Sequence, residues 1–194
     1  MHSWHRHQKS NNQDVQEVVM NLRSATSADL TLLRHWDEQP HVVASNPNDK
    51  WDWEVELLHN FLGREQLIAE INGRPIGFIE ITDPARDDSN YWGDVAFNLR
   101  AIDIWIGEET DLGKGYGTKM MQLALKRCFA DPLVTAVLVE PLASNTHAHR
   151  FYERLGFQFV EQRRFGNDEC FVYRLNRADW HHESAITSHG SDNQ

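Results

Sequence analysis

The amino-acid sequence predicts an α/β (α+β) chain of about seven strands and about four helices gathered around one sheet. Three observations lead there. Apolar residues recur with a period of two in some segments and with helical spacing in others, and the two kinds of segment alternate along the chain. An Asn72-Gly73 pair separates two strand-like runs. A glycine-rich loop, Gly113-Lys114-Gly115-Tyr116-Gly117, joins a strictly alternating strand to a helical repeat.

Val18 to Arg23 reads as a first strand, and Thr26-Ser27-Ala28-Asp29 as a capping-box start for a helix carrying Leu30, Leu33 and Trp36. A second helix is expected from Asp52 to Leu62. Gln66 to Ile71 and Pro75 to Thr82 form a hairpin, because Asn72-Gly73 supplies the positive φ angles of a type I′ turn. In Ala101 to Gly107 the isoleucines Ile102, Ile104 and Ile106 share one face, with Asp103 and Trp105 on the other. The glycine loop then opens a helix from about Thr118 to Phe129, in which Met121, Leu125 and Phe129 recur at helical spacing. Val134 to Val139 reads as a buried strand and Asn145 to Leu155 as a helix stopped by Gly156. Phe157 to Phe165 and Phe171 to Leu175 close the sheet.

The length, 194 residues, fits one domain, from about Val15 to about Trp180, and 40% hydrophobic residues suffice for a core. Residues 1–14 and 181–194 are expected to be disordered tails. Six of the 11 histidines (His2, His5, His7, His181, His182 and His189) lie there, and a solvated tail explains them better than a metal site, so no metal is expected. The balance of 19 Lys plus Arg against 29 Asp plus Glu, a net charge of −10, argues against a nucleic-acid partner, which needs a basic face. No apolar stretch approaches the roughly 20 residues that span a bilayer, so no membrane partner is expected. Cys128 and Cys170 make neither a disulfide framework nor a metal-ligand spacing, and the N-terminus does not read as a secretory signal, so the expected location is the cytoplasm.

Three glycines at alternate positions between a strand and a helix let the backbone turn tightly and expose amide N–H groups at the positive end of the helix dipole. Such a loop is either an anion cradle suited to a pyrophosphate or a plain strand-to-helix turn. It lacks the Gly-Lys-Ser/Thr ending of a P-loop, and it follows the fourth strand, whereas the dinucleotide-binding fingerprint usually follows the first.

Leu112-Gly113-Lys114-Gly115-Tyr116-Gly117-Thr118, then Ser144-Asn145, then Arg150-Phe151-Tyr152-Glu153-Arg154-Leu155-Gly156-Phe157 together resemble the GNAT superfamily of acyl-CoA-dependent N-acyltransferases, over essentially residues 18 to 176. Within it the segment is most similar to the aminoglycoside 6′-N-acetyltransferases, through Ile102-Asp103, the loop, Glu140-Pro141, Ser144-Asn145 and the helix end at Phe157. The resemblance implies a mixed central sheet splayed between its fourth and fifth strands, and acetyl-CoA as cosubstrate. Carried over by position, it implies that Gly113, Lys114, Gly115, Tyr116, Gly117 and Thr118 hold the pyrophosphate, with Trp105, Ile106 and Asn145 completing the coenzyme site. It further implies Asp103 as general base or amine-orienting group, Tyr152 beside the thioester sulfur, and Asp88, Glu140 and Asp168 as contacts to a cationic small-molecule amine. The family's usual Arg or Gln ahead of the loop is here Leu112, which removes one side-chain contact to phosphate and leaves the backbone cradle.

Each residue also has a plainer reading. Asp103 could pair with Arg100, Glu140 could be a solvated strand end, and Tyr152 could only pack against the sheet. Trp51, Trp53, Tyr91 and Trp92 are either a sugar-stacking wall or core. Where the aminoglycoside enzymes follow His-Ile-Val-Glu with a Trp pair, this chain has His41-Val42-Val43-Ala44-Ser45-Asn46. Acyl transfer to a lysine-like siderophore precursor or a polyamine therefore stands beside the aminoglycoside reading, and so does a non-catalytic acetyl-CoA-binding module. The expected assembly is a monomer or a homodimer. Half of the net charge lies in residues 86 to 111, with seven acidic and two basic residues, and that field suits a polycationic amine.

Overall fold

The computed structural model describes residues 19–48, 50–58 and 63–180. The expected tails at 1–14 and 181–194, Val18 and the last part of the helix expected to end at Leu62 lie outside those residues. The described residues form seven strands: β1 (Met20–Ser24), β2 (Arg64–Ile71), β3 (Arg74–Thr82), β4 (Leu99–Ile106), β5 (Ala136–Val139), β6 (Gln158–Phe165) and β7 (Asp168–Asn176). They form one sheet in the order β1-β2-β3-β4-β5-β7-β6, in which β4 and β5 run parallel and every other pair is antiparallel.

Among the described residues five α-helices flank the sheet: α1 (Leu30–Asp37), α2 (Pro40–Ser45), α3 (Trp53–Leu58), α4 (Tyr116–Ala130) and α5 (Thr146–Arg154). One more is present than the sequence predicts. The extra helix, α2, is only six residues long, too short for a helical repeat to show, and its one signal is Pro40 at the first position. The expected capping box is present, with the Asp29 carboxylate accepting the Thr26 N–H at 2.9 Å, and it starts the 3₁₀ turn that runs into α1. Asn72 and Gly73 take φ of 50° and 78°, as a type I′ turn demands.

The two faces of β4 are sorted as its alternation requires. Ile102, Ile104 and Ile106 pack into the main core with Met120, Met121 and Leu125 of α4 and Tyr152 of α5. Trp105 packs on the opposite face with Phe78, Trp36 and Trp53 under α1 to α3. Leu99 and Ala101, on that same face, join a third cluster with Leu138, Phe165 and Val172. Burying each large apolar side chain contributes about 1.5–3 kcal/mol, and the polar Asp103 interrupts the face between two such clusters. At Gly77 a Cβ would come within 2.3 Å of the Trp105 carbonyl oxygen and 2.8 Å of the Met120 side chain, so glycine is what lets β3, β4 and α4 close up.

The sheet is continuous on both sides of β4 only at its start. Pairing with β5 covers Leu99↔Ala136, Arg100↔Val137 and Ala101↔Leu138, and stops there. From Ile102 onward β4 stays with β3 alone, so the fourth and fifth strands splay as expected.

Candidate active site

Asp103 and Glu140 each lie two residues beyond Ala101↔Leu138, the last pair that β4 and β5 make. Equivalent positions on parallel strands project from one face, so the two carboxylates stand on either side of the split. Both line a pocket shared with Asp168, Leu142, Cys170, Tyr91, Ser45 and Asn46. Asp168 arrives from the β6–β7 turn. The chain after β5 is zipped to the start of β7 by Ala143 N–H donating to the Glu169 carbonyl (2.8 Å) and Phe171 N–H to the Pro141 carbonyl (2.9 Å), and this brings Glu140 and Asp168 to the same opening. His149, buried and stacked on Phe171, donates from Nε2 to the Leu142 carbonyl at 2.9 Å and steadies that segment.

The mouth of the pocket is tied down from three directions. Asn48 donates to Asp168 at 2.6 Å, Arg163 donates to the Trp92 carbonyl at 2.7 Å, and Tyr91 stacks on Phe165 with ring centroids 4.8 Å apart. Of the four aromatics noted in the sequence, Tyr91 alone lines the pocket. Trp53 and Trp92 are buried, and Trp51 stacks on Trp53 at 4.8 Å. Asp88 is exposed on a turn and is not among the lining residues.

Arg100 and Asp103, three residues apart on a strand, point to opposite faces. The Arg100 guanidinium bonds Asp83 and Asp131, each at 3.2 Å. Tyr152 lies in the core on the α5 side. Burial pushes its hydroxyl well above the ordinary tyrosine range, and the negative charges of Asp103 and Glu140 push it further.

On the other side of β4's end, Gly113 and Gly115 take φ of 72° and 78°, and a Cβ at either would meet nothing within 4 Å. The cradle is therefore open. It runs into α4, whose first-turn N–H groups have no acceptor within the helix. Beneath it the buried Asp111 carboxylate accepts two hydrogen bonds from Arg74 (2.7 and 3.1 Å) and one from Lys114 (3.1 Å). Those bonds, the Arg74 pair foremost, hold its pKa below the usual Asp value against burial. An open amide cradle at a helix N-terminus, facing a split strand pair, is the arrangement of an acyl-CoA site.

A family model described as an acetyltransferase (GNAT) domain matches residues 25–165. The chain belongs to the GNAT acetyltransferases. An aminoglycoside N(6′)-acetyltransferase type 1 of Klebsiella pneumoniae is 31% identical over 146 residues, covering 71% of this chain and 73% of that protein. A lysine N-acyltransferase of Mycobacterium tuberculosis is 23% identical over 168 residues, covering 82% and 78%. Among solved structures, aminoglycoside acetyltransferase AAC(6′)-Ib in complex with coenzyme A and kanamycin aligns with a TM-score of 0.75 and 26% identity over 83% of this chain and 96% of that one.

In this GNAT acetyltransferase three of the residues expected at the coenzyme contribute differently from what their side chains suggest. Trp105 buries its ring in the core, and its carbonyl oxygen is turned toward Gly77 of β3, away from the split. Ile106 likewise turns its side chain into the core, and its carbonyl accepts the His41 Nε2–H at 2.8 Å. Asn145 caps α5, its Oδ1 accepting the Ala148 N–H at 3.1 Å. Gly113 to Thr118 keep an open, donor-rich backbone, so the residues present fit a pyrophosphate. Among the described residues no group of His, Cys, Asp or Glu is placed to hold a metal ion, and no helix is long and apolar enough to cross a membrane. No local pattern in the sequence marks Asn48, Arg74, Asp111 or Glu80 as part of a site.

Proposed function

We propose that the chain transfers an acetyl group from acetyl-CoA to a primary amine of a polycationic small molecule, most specifically the 6′-amine of an aminoglycoside. The observation that carries this reading is the trio Asp103, Glu140 and Asp168 in one pocket, two of them flanking the split that opens toward the glycine loop. Three half-buried carboxylates attract ammonium groups and hold more than one at a time. The kinship with aminoglycoside 6′-acetyltransferases supports the same substrate class.

Acetyl-CoA supplies an activated acetyl thioester. Asp103 accepts a proton from the bound ammonium, directly or through a water, and frees the lone pair that attacks the thioester carbonyl. The carbon–nitrogen bond forms as the carbon–sulfur bond breaks. Tyr152 gives its proton to the departing sulfur and is reprotonated by the second proton, which the acylated nitrogen sheds, while Asp103 releases the first to solvent. The Tyr152 proton is held chiefly by burial, then by Asp103 and Glu140. Once Asp103 is protonated and Glu140 is paired with substrate, those two negative charges are cancelled and Tyr152 becomes a better acid. Direct transfer needs no covalent acyl-enzyme. Cys128 suits a nucleophile poorly, since burial pushes its thiol up to about 12.

A second reading, transfer to the side-chain amine of a lysine-like acceptor, is favoured by Ser45 and Asn46, which line the pocket where the aminoglycoside enzymes carry a tryptophan pair. A thiol-release assay with acetyl-CoA and kanamycin, tobramycin, spermidine or N-hydroxylysine separates the two. The first reading expects turnover with the aminoglycosides, and turnover with only spermidine or N-hydroxylysine overturns it. Coenzyme binding with no turnover on any amine leaves a binding module.

A further inference from the structure

Across β2, β3 and β4 three polar side chains stand in one row, Gln66 pairing with Glu80 and Glu80 with Asp103. Directly paired residues on antiparallel strands project from the same face with Cβ atoms about 4.5–5.5 Å apart. Glu80 is thus the immediate neighbour of Asp103, on the side away from the split. It is 5% exposed, and a carboxyl so buried needs partners. Gln66 Nε2 donates to one of its oxygens at 3.1 Å and Thr82 Oγ1 to the other at 3.4 Å, while Gln66 also donates to Glu56 of α3 at 3.2 Å.

The charged groups acting on Glu80 are Glu56 from α3 and Arg64 from β2, and its register partner on β4 is Asp103. Arg64 bonds Asp87 at 2.8 Å and lies 3.5 Å from Glu56, so its charge is shared with two other carboxylates. Burial pushes the Glu80 carboxyl up, and the Glu56 charge adds to this, against the pull of Gln66, Arg64 and Thr82.

We propose that Glu80 is a positioning residue for the transfer reaction, orienting Asp103 through a carboxyl-to-carboxylate hydrogen bond between β3 and β4. This rests on Asp103 being the base. Both Glu80 oxygens already accept hydrogen bonds, and the carboxylate beside them in the register is Asp103, so a proton held on Glu80 is given to Asp103. The hydrogen bond favours the ionised form of Asp103 and fixes its side chain toward the pocket. A second full charge beside the base is also avoided, because two adjacent carboxyls share one proton more readily than they carry two charges.

Two conservative variants give opposite rankings under this role and under the alternative, in which Glu80 serves as a counter-ion for Arg64. Glu80→Gln keeps length and a donor and loses the charge. Glu80→Asp keeps the charge and withdraws the group by one methylene. The positioning role expects Glu80→Gln to keep the wild-type acid limb of the kcat/KM–pH profile and most of kcat. It expects Glu80→Asp to raise that limb by about one pH unit and to lower kcat roughly tenfold, with the acetyl-CoA KM unmoved. Thermal melts of both variants show that each is folded. The reverse ranking, or two unshifted acid limbs, overturns the proposal. Asp103→Asn in the same assay separates the layers: unchanged turnover there defeats the base reading itself, whereas an inactive Asp103→Asn with the reverse ranking at Glu80 defeats this inference alone.

Discussion

Arg74 grips Asp111 with two hydrogen bonds, 2.7 and 3.1 Å long, across 37 residues of sequence. The pair fastens the β2–β3 turn to the floor of the glycine loop, and Lys114 adds a third bond to the same carboxylate. Asp111→Ala should cost about 2 kcal/mol of stability, because it strips charged hydrogen bonds from a buried acceptor. It should also weaken coenzyme A binding by slackening the loop. Calorimetric unfolding and titration with coenzyme A measure both. Since folding depresses this pKa, the stabilisation is present above the unfolded Asp value of about 4 and is lost as pH falls through the lower folded one, so the wild-type advantage should shrink in acid.

Asp103→Asn should lower kcat by about a hundredfold or more, the usual contribution of a positioned base. Coenzyme A affinity should not change, because Asp103 lies in the acceptor pocket and not on the loop. Steady-state kinetics with equilibrium titration tests this, and equal kcat removes Asp103 from the chemistry.

Tyr152→Phe should lower kcat while leaving the alkaline limb of the rate profile in place. Burial, Asp103 and Glu140 all raise the Tyr152 pKa, so the resting hydroxyl keeps its proton beyond the ordinary tyrosine range and cannot be the group that titrates there. A limb that vanishes in the variant contradicts this.

Glu140→Gln should raise the KM for a polycationic acceptor roughly tenfold, one charged hydrogen bond's worth. The loss should be smaller for a monoamine. Added salt should raise the wild-type KM in the same direction, since a half-exposed acidic pocket is screened.

Gly77→Ala should destabilise the protein by about 1–3 kcal/mol, the cost of overpacking. The added methyl meets the Trp105 carbonyl, which is backbone and cannot move aside alone. A chemical denaturation curve decides it, and an unchanged midpoint means that β3 and β4 part more easily than their packing suggests.

Local signals made much of this legible in the residues. Asn72-Gly73 announced its turn, the spacing of Ile102, Ile104 and Ile106 sorted the faces of β4, and the glycine loop marked where α4 begins. What stayed hidden depends on register. Glu80 sits in Phe78-Ile79-Glu80-Ile81, which reads as one more strand residue until pairing sets it beside Asp103. Arg74 and Asp111, or Asn48 and Asp168, are joined only by the fold. Helix α2 escaped because six residues hold less than two turns. Trp105 and Ile106 form the strand end expected at the coenzyme, yet the side chains of both belong to the core.

That last point reaches beyond these two residues. A sheet that parts in its middle owns two interior edges, and an edge is ordinarily a hazard because its open amides and carbonyls invite a foreign strand. Here the inner edge of β4 past Ala101 lies between packed clusters on the two faces of the sheet. A slender chain of amides can still lie along it as a guest strand, recognised by main-chain groups that every residue type possesses. The side chains of Trp105 and Ile106 answer to the core, and a receptor written in backbone would leave no signature letters in the sequence.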